Sequence, residues 1–489
     1  MIKKKSFEGL PLYDGGIRDE FVYDAGRGLH EEPLDGEAGG LPMLWDVPYL
    51  EERMAPFSLY EGFTIEKLRE DENGAAYKLT DGPRSYVFEK KGEDGFLTPD
   101  PANPKPTEEP VLVHTVRETS EAEFEAYLDK LAIAGWSGKP DGKGVSFYKN
   151  GRHLYAYYLP RTKTARIVED DISCRADGFG YDCASTQKVK LIQFSLKYGK
   201  MIRCVTADCG MLYLFILPDN SVFFVDGGEK EQATDAAIAE LMDVLRFYTK
   251  TPAWEKIRIA AWYCTHAHDD HMDGFVKLLR LHHDEIALER VIFNFTGMWR
   301  FPWVNQRHIL CHRISQYFPD AKYMKIHTGQ SFSLAGVRFD CLLTHEDTLN
   351  SPAGRECNDF NEGSTVLKLS FDGTRFLLLG DINKLAAKLL MENYDREELI
   401  GSGVQAAHHL INLLPELYRF LMPCPVLVPG ESTRADPEDP RYTALTDVTD
   451  KEKIYFASEE TLVFEAVDGK LEVIDRRPQV GGAYDGSKV

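Results

Sequence analysis

Thr265-His-Ala-His-Asp-Asp-His-Met-Asp-Gly274 follows directly on Ile257 to Cys264, a near-continuous apolar run. Such a run reads as a strand buried on both faces. At its mouth it delivers His266, His268, Asp270 and His271 within six residues. Alternate side chains of an extended segment share a face, so His266 and His268 point the same way, and the turn into the next helix brings Asp270 and His271 round to the same spot. Imidazole suits zinc and a carboxylate adds charge, so the pattern points to a metal centre in which two adjacent subsites can share ligands. The cluster takes three of the chain's 14 histidines, a concentration that ordinary polar decoration of a strand end does not explain.

Working outward, Met211 to Leu217 and Ser221 to Val225 flank a Pro218-Asp-Asn turn and form a hairpin that ends in Asp226-Gly-Gly228. Ile238, Leu241, Met242, Leu245 and Tyr248 then lie on one helical stripe. Beyond the motif, Val337 to Leu343 is a strand, and Thr344-His345-Glu346-Asp347 opens a polar loop that runs to Asn361.

The first 185 residues have a different texture. Tyr60 to Lys91 alternates short apolar runs with Asn73-Gly74 and Asp81-Gly82, which suits a small antiparallel sheet. Gly92 to Pro110, with Pro99-Asp-Pro-Ala-Asn-Pro-Lys-Pro106, reads as a linker or long loop, splitting this region in two. Ser120 caps a helix through Phe124, Tyr127, Leu128 and Leu131, and strands pair about Asn150-Gly151. The division expected is an α+β accessory region over 1–185, a main domain over 188–477 and a disordered tail over 478–489.

Composition bounds the partners. At 489 residues and a net charge of −21 the chain repels a polyanion, so non-specific DNA binding is not expected. Residues 1–100 hold 12 Lys and Arg against 22 Asp and Glu, a balance of −10 that reads as a solvated acidic face. Neither a signal peptide nor a membrane span is visible, and nine cysteines without a C-x-x-C spacing suggest free thiols in the cytoplasm.

An H-x-H-x-D-H run after a strand resembles the metallo-β-lactamase superfamily, and further matches follow in order: Asp226-Gly-Gly228, Phe376-Leu-Leu-Leu-Gly380-Asp381 and Ala407-His408-His409. Asn361-Glu-Gly-Ser364 before the Gly-Asp strand and the double histidine are similar to the soluble hydrolase domain of ComEC-like proteins. The resemblance implies an α/β fold, a four-layer αββα sandwich carrying the accessory module. It implies metal ligands at His266, His268, Asp270, His271, Asp381 and one of His408 and His409, with Asp226 and Asn361 supporting them. Asn361 stands where most members place a third histidine of the first site.

The resemblance also implies one or two Zn2+ ions, with Mn2+ or Fe2+ as alternatives, and a metal-bound hydroxide that attacks an ester. The preferred substrate is a nucleotide or short nucleic-acid phosphodiester. The rivals are an amide, thioester or lactone, and a catalytically idle metal-binding regulator or scaffold. Asp270 and His345 are the candidate catalytic residues, His345 as proton donor to a leaving group. His282 and His283 read as helix C-terminal caps, His308 and His312 as surface residues, and Tyr155, Tyr157 and Tyr158 as sheet packing, with two of the three on one face.

Overall fold

The computed structural model describes residues 10–23, 41–43, 63–72, 74–81, 84–91, 94–99, 111–171, 179–185, 187–196, 210–229, 232–295, 314, 317–357, 359–411, 414–422 and 425–478. Among these residues the chain is a mixed α/β protein with four sheets, of nine, seven, six and five strands. His308, His312 and residues 479–489 lie outside them.

The apolar run Ile257 to Cys264 forms the strand Ile257–Tyr263, central in the nine-stranded sheet and paired in parallel with Val222–Asp226 and Arg290–Ile292. Side chains alternate along these strands, and both faces are buried. One face sends Phe215, Phe223, Val225 and Tyr263 against Phe339, Leu367, Phe376 and Leu378 of the seven-stranded sheet. Phe223 and Phe339 meet there at 4.4 Å between ring centroids.

The opposite face sends Leu214, Phe224 and Trp262 against two amphipathic helices, Asp235–Thr249 and Asp269–His282. Trp262 stacks on Phe275 at 4.3 Å. On the far side of the seven-stranded sheet, Leu377, Val404 and Val426 pack with Leu390, Leu417 and Leu445 of three further helices.

In the six-stranded sheet, Phe124, Tyr127 and Leu131 of the helix Glu121–Ile133 cover one face. Ser120 and Glu123 close a capping box at its start, as Ser120 at that position leads one to expect. Tyr155 and Tyr157 point the other way, into the core shared with the seven-stranded sheet, while Tyr158 packs on Phe124.

The stretch read as a linker contains a strand, Asp94–Pro99, paired with Arg84–Lys91 and with Leu41–Met43. Gly95 and Pro99 lie within that strand, at its second and last residues. Residues 100–110 lie outside the described set. Among the described residues no helix is long and apolar enough to cross a membrane.

Placement of the site follows from strand direction. Val222–Asp226 and Ile257–Tyr263 run parallel in one sheet, and Thr374–Leu378, Gly403–Gln405 and Val426–Val428 run parallel in the other. Asp226, the His-rich turn, Asp381 and His408-His409 all sit at or just beyond carboxyl ends of these strands. In open α/β sheets that is where ligands bind.

Candidate metal centre

Asp226 ends its strand with φ of 55° and is fully buried. Gly227 and Gly274 let that strand end lie against the helix Asp269–His282: a Cβ on Gly274 would come within 2.0 Å of the Gly227 carbonyl oxygen. Asp226 accepts hydrogen bonds from the Thr265 amide at 2.8 Å and the Thr265 hydroxyl at 2.9 Å. The His271 Nδ1–H donates to the same carboxylate at 2.6 Å. That bond turns the Nε2 of His271 toward the opposite sheet.

From that sheet come Asp381 and His409. The Gly380-Asp381 turn is fixed by Gln405, whose Oε1 accepts from the Leu379 and Gly380 amides at 2.8 Å each. The Ser364 hydroxyl accepts from the Asp381 amide at 3.1 Å. His408, His409 and Leu410 are three successive left-handed residues, a sharp reversal after the strand Gly403–Gln405. His409 Nδ1–H donates to the Pro429 carbonyl at 2.6 Å, so its Nε2 is also left facing inward.

Asp270, His271, Asp381 and His409 converge, each offering one ligand atom, all within 4.8 Å of one another. The separations resolve further. Asp381 Oδ2 lies 3.2 Å from His271 Nε2 and 3.2 Å from His409 Nε2. The two Nε2 atoms are 3.3 Å apart. Asp270 Oδ2 is 3.1 Å from His409 Nε2 and 3.8 Å from His271 Nε2. A tetrahedral ion with ligand bonds of about 2.0–2.1 Å needs ligand atoms about 3.3–3.4 Å apart.

The charges point the same way. Burial disfavours the charged form of His271, but Asp381, Asp270 and Asp226 around it outweigh this and raise its pKa to about 10. Burial likewise opposes ionisation of Asp270 and Asp381, and His271 and His409 beside them hold both carboxyls well below the usual range. Three carboxylates gathered there, Asp226 and Asp381 fully buried and Asp270 partly so, call for positive charge, which a proton on His271 supplies without an ion. Asp381 Oδ1 is buried with no hydrogen-bond partner among the described residues. Donor types, spacing and that orphaned oxygen fit a divalent cation.

His266 and His268 lie alongside. His266 Nε2 is 2.9 Å from His268 Nδ1 and 3.9 Å from Asp381 Oδ2. Burial, with His271 and His268 adjacent, pushes the His266 pKa well down, so its ring is neutral. His268 is the residue before the helix Asp269–His282 and is partly exposed. The Phe360 ring stands 5.1 Å from His268.

Asn361 and His408 meet each other rather than the four-residue group. His408 Nδ1–H donates to Asn383 Oδ1 at 2.6 Å, and Asn361 Nδ2 is 3.5 Å from His408 Nε2. Asn361 Oδ1 is buried with no hydrogen-bond partner among the described residues. His345 is fully buried, its Nε2 2.8 Å from Asn294 Oδ1 and its Nδ1 2.8 Å from Asn350 Nδ2, which are the contacts of a scaffold residue. His283 Nδ1 reaches the Leu279 carbonyl at 3.0 Å, closing the helix end.

Sequence reading gives no notice of Thr265, Gln405 and Pro429, which orient Asp226, Asp381 and His409. Their only signal is position: each lies at or just beyond the carboxyl end of a strand in one of the two sheets.

No family model matches the chain, and no curated protein matches it. Solved structures that are similar to it include the following three. A point mutant of a flavo di-iron protein from Thermotoga maritima aligns at 12% identity and a TM-score of 0.24, over 40% of this chain. The chain spans 41% of the length of that protein. A diphosphatase from the PhnP family aligns at 13% identity and a TM-score of 0.31, over 60% of this chain and 100% of the other. CmlA, a diiron β-hydroxylase from Streptomyces venezuelae, aligns at 14% identity and a TM-score of 0.27, over 86% of this chain and 74% of the other.

Proposed function

We propose that the chain is a metal-dependent hydrolase of the metallo-β-lactamase type, with an αββα sandwich bearing an accessory module, and that it cleaves a phosphodiester of a nucleotide or short nucleic acid. The observation that carries the reading is the convergence of Asp270, His271, Asp381 and His409 at near-tetrahedral spacing from two facing sheets. Asp270, His271, Asp381 and His409 would hold Zn2+, with Mn2+ and Fe2+ as alternatives, and His266 and His268 would serve an adjoining ion. A divalent cation held there supplies an acidified water as nucleophile at neutral pH.

The remaining work falls to the chain's own groups. Asp226 and the Pro429 carbonyl fix the two imidazoles through Nδ1, so that both Nε2 atoms are available without rearrangement. Asp270, its side chain 27% exposed, is the member of the four that reaches the mouth. Asn361 and His408, polar and only partly buried, meet each other outside the four-residue group and would orient a substrate. The preference for a phosphodiester rests on the motif resemblance, and the net charge of −21 favours a small substrate over a polymer.

The test is metal content of freshly purified, chelator-free protein, followed by assay on bis(p-nitrophenyl) phosphate, short oligonucleotides, a lactam and a thioester. Stoichiometric metal with turnover on the first two is the expected result. Absence of transition metal overturns the hydrolase reading, and turnover confined to lactam or thioester replaces the substrate. A loaded protein inert on all four favours the regulator.

A further inference from the structure

A second buried polar assembly lies where the six-stranded sheet meets the loop after Val337–Leu343. Thr115, Arg166 and Tyr157 stand side by side across three strands, Arg166 opposite Thr115 on one side and opposite Tyr157 on the other. Arg166 is only 5% exposed. Its Nη1 donates to Thr115 Oγ1 at 2.7 Å and to the Glu346 carbonyl at 2.6 Å, and its Nε lies 2.8 Å from Asp347 Oδ1. Tyr157 donates to the same Asp347 oxygen at 2.9 Å. Asp347 Oδ2 accepts from the Thr344 amide at 3.2 Å and from the Thr328 hydroxyl.

That loop in turn backs the segment carrying Asn361. Thr348 Oγ1 donates to the Glu362 carbonyl at 2.5 Å. Gly363 is pressed from behind: a Cβ there would sit 2.9 Å from Leu349 and 3.4 Å from His345. Leu349 and Phe360 share one core with Ala267 and Met272 of the His-rich turn and its helix. One residue on, Ser364 accepts from the Asp381 amide, and the Thr365 amide donates to the Thr265 carbonyl at 2.8 Å.

We infer that Arg166 is a positioning residue of the metal centre, acting from the accessory sheet through Asp347 and the 344–351 loop on the 360–365 segment, and so on Asn361 and Asp381. The inference rests on the reading of that centre as the working site. Arg166 supplies what a flexible polar loop lacks: a planar cation that binds a carboxylate and a carbonyl at once, from a rigid strand. An excursion of buried polar backbone needs such partners to hold one conformation.

The test uses full-length protein and compares the parent with R166M, R166K and the charge-neutral pair R166M/D347N. Hydrogen exchange of the metal-free proteins is read at Ser364, Thr365 and Asp381, with Val222 to Asp226 as internal reference. In R166M exchange at those three amides is expected to rise at least about tenfold while the reference strand is unchanged, and R166K should restore part of the protection. Cobalt(II) affinity should fall about tenfold, the scale of damage to groups that orient metal ligands, with altered visible absorption of the bound ion.

Faster exchange confined to residues 344–351, with Ser364, Thr365 and Asp381 at parental rates, overturns the inference. If R166M does not fold, the same two outcomes are read in R166M/D347N, where no unpaired buried charge remains. A parent that binds no cobalt would sink the metal reading, whereas the exchange experiment would still decide whether Arg166 controls the segment.

Discussion

Asp381→Asn tests the centre most directly, because the substitution keeps shape and removes one charge. Asp381 Oδ2 is 3.2 Å from both His271 Nε2 and His409 Nε2, its Oδ1 has no hydrogen-bond partner among the described residues, and the residue is 1% exposed. At an effective dielectric near 20, two unit charges about 4 Å apart interact by about 4 kcal/mol, and a divalent ion doubles that. Part of the loss is returned, since the proton that Asp381 helps to hold on His271 leaves more easily from the variant, and the amide oxygen remains a weak donor. A net loss of about 3–5 kcal/mol follows, equivalent to metal binding weakened about a hundredfold to a few thousandfold.

The assay is competition with a chromophoric chelator at fixed pH, run beside circular dichroism of the metal-free proteins, whose melting midpoints should agree within a few degrees. Asp226→Asn, which orients His271 without facing the shared volume, should cost about tenfold to a hundredfold. An Asp381→Asn protein that folds and binds metal within about threefold of the parent would refute the shared-carboxylate argument, since no screening consistent with its burial removes so large a term.

Further outcomes follow from the same geometry. His409→Ala should abolish tight binding of the ion shared by Asp270, His271, Asp381 and His409, whereas His266→Ala with His268→Ala should remove an adjoining ion and leave that one, as counted by elemental analysis; the reverse order would transfer the primary site to the His266 side. Gly274→Ala should lower stability by at least about 2 kcal/mol, because its Cβ would meet the Gly227 carbonyl oxygen and force strand and helix apart; chemical denaturation showing no loss would mean that the contact relaxes freely. Asp219 is partly desolvated, yet bonds from Ser221 and Tyr181 and the nearby Arg258 hold its carboxyl below the ordinary value. A lowered folded-state pKa gives stability that is present above about pH 3.9 and lost as pH falls through the folded value. Asp219→Ala should therefore cost about 1.5–3 kcal/mol at pH 7 and progressively less below about pH 3.9, by urea titration at both ends; a pH-independent difference would assign the effect to packing.

Local pattern carries much of this protein. Ile257 to Cys264 is apolar at nearly every position, which suits a strand buried on both faces; two short apolar runs about the Pro218-Asp-Asn turn mark the hairpin before it, and the stripe of Ile238 to Tyr248 has the helical period. The run Thr265 to Gly274 places His266, His268, Asp270 and His271 together because neighbours in sequence are neighbours in space at a strand end. Within Gly92 to Pro110, glycine and proline suggest a loop, yet Gly95 and Pro99 are carried by the strand Asp94–Pro99, and what decides is the partner strand Arg84–Lys91.

Distance along the chain sets the limit. His409 lies 138 residues from His271, and only the facing of two sheets brings their Nε2 atoms to 3.3 Å. Between adjacent His408 and His409 no local rule chooses, because three consecutive left-handed residues and the Pro429 carbonyl determine which ring turns inward. His345 reads as accessible because it opens a polar loop, and the tertiary structure buries it because Asn294 and Asn350 satisfy both ring nitrogens. Arg166 gives no signal at all. A lone arginine in a strand becomes a support for the centre only when a loop 180 residues away closes over it, for burying a guanidinium requires a carboxylate and a carbonyl that sequence spacing cannot supply.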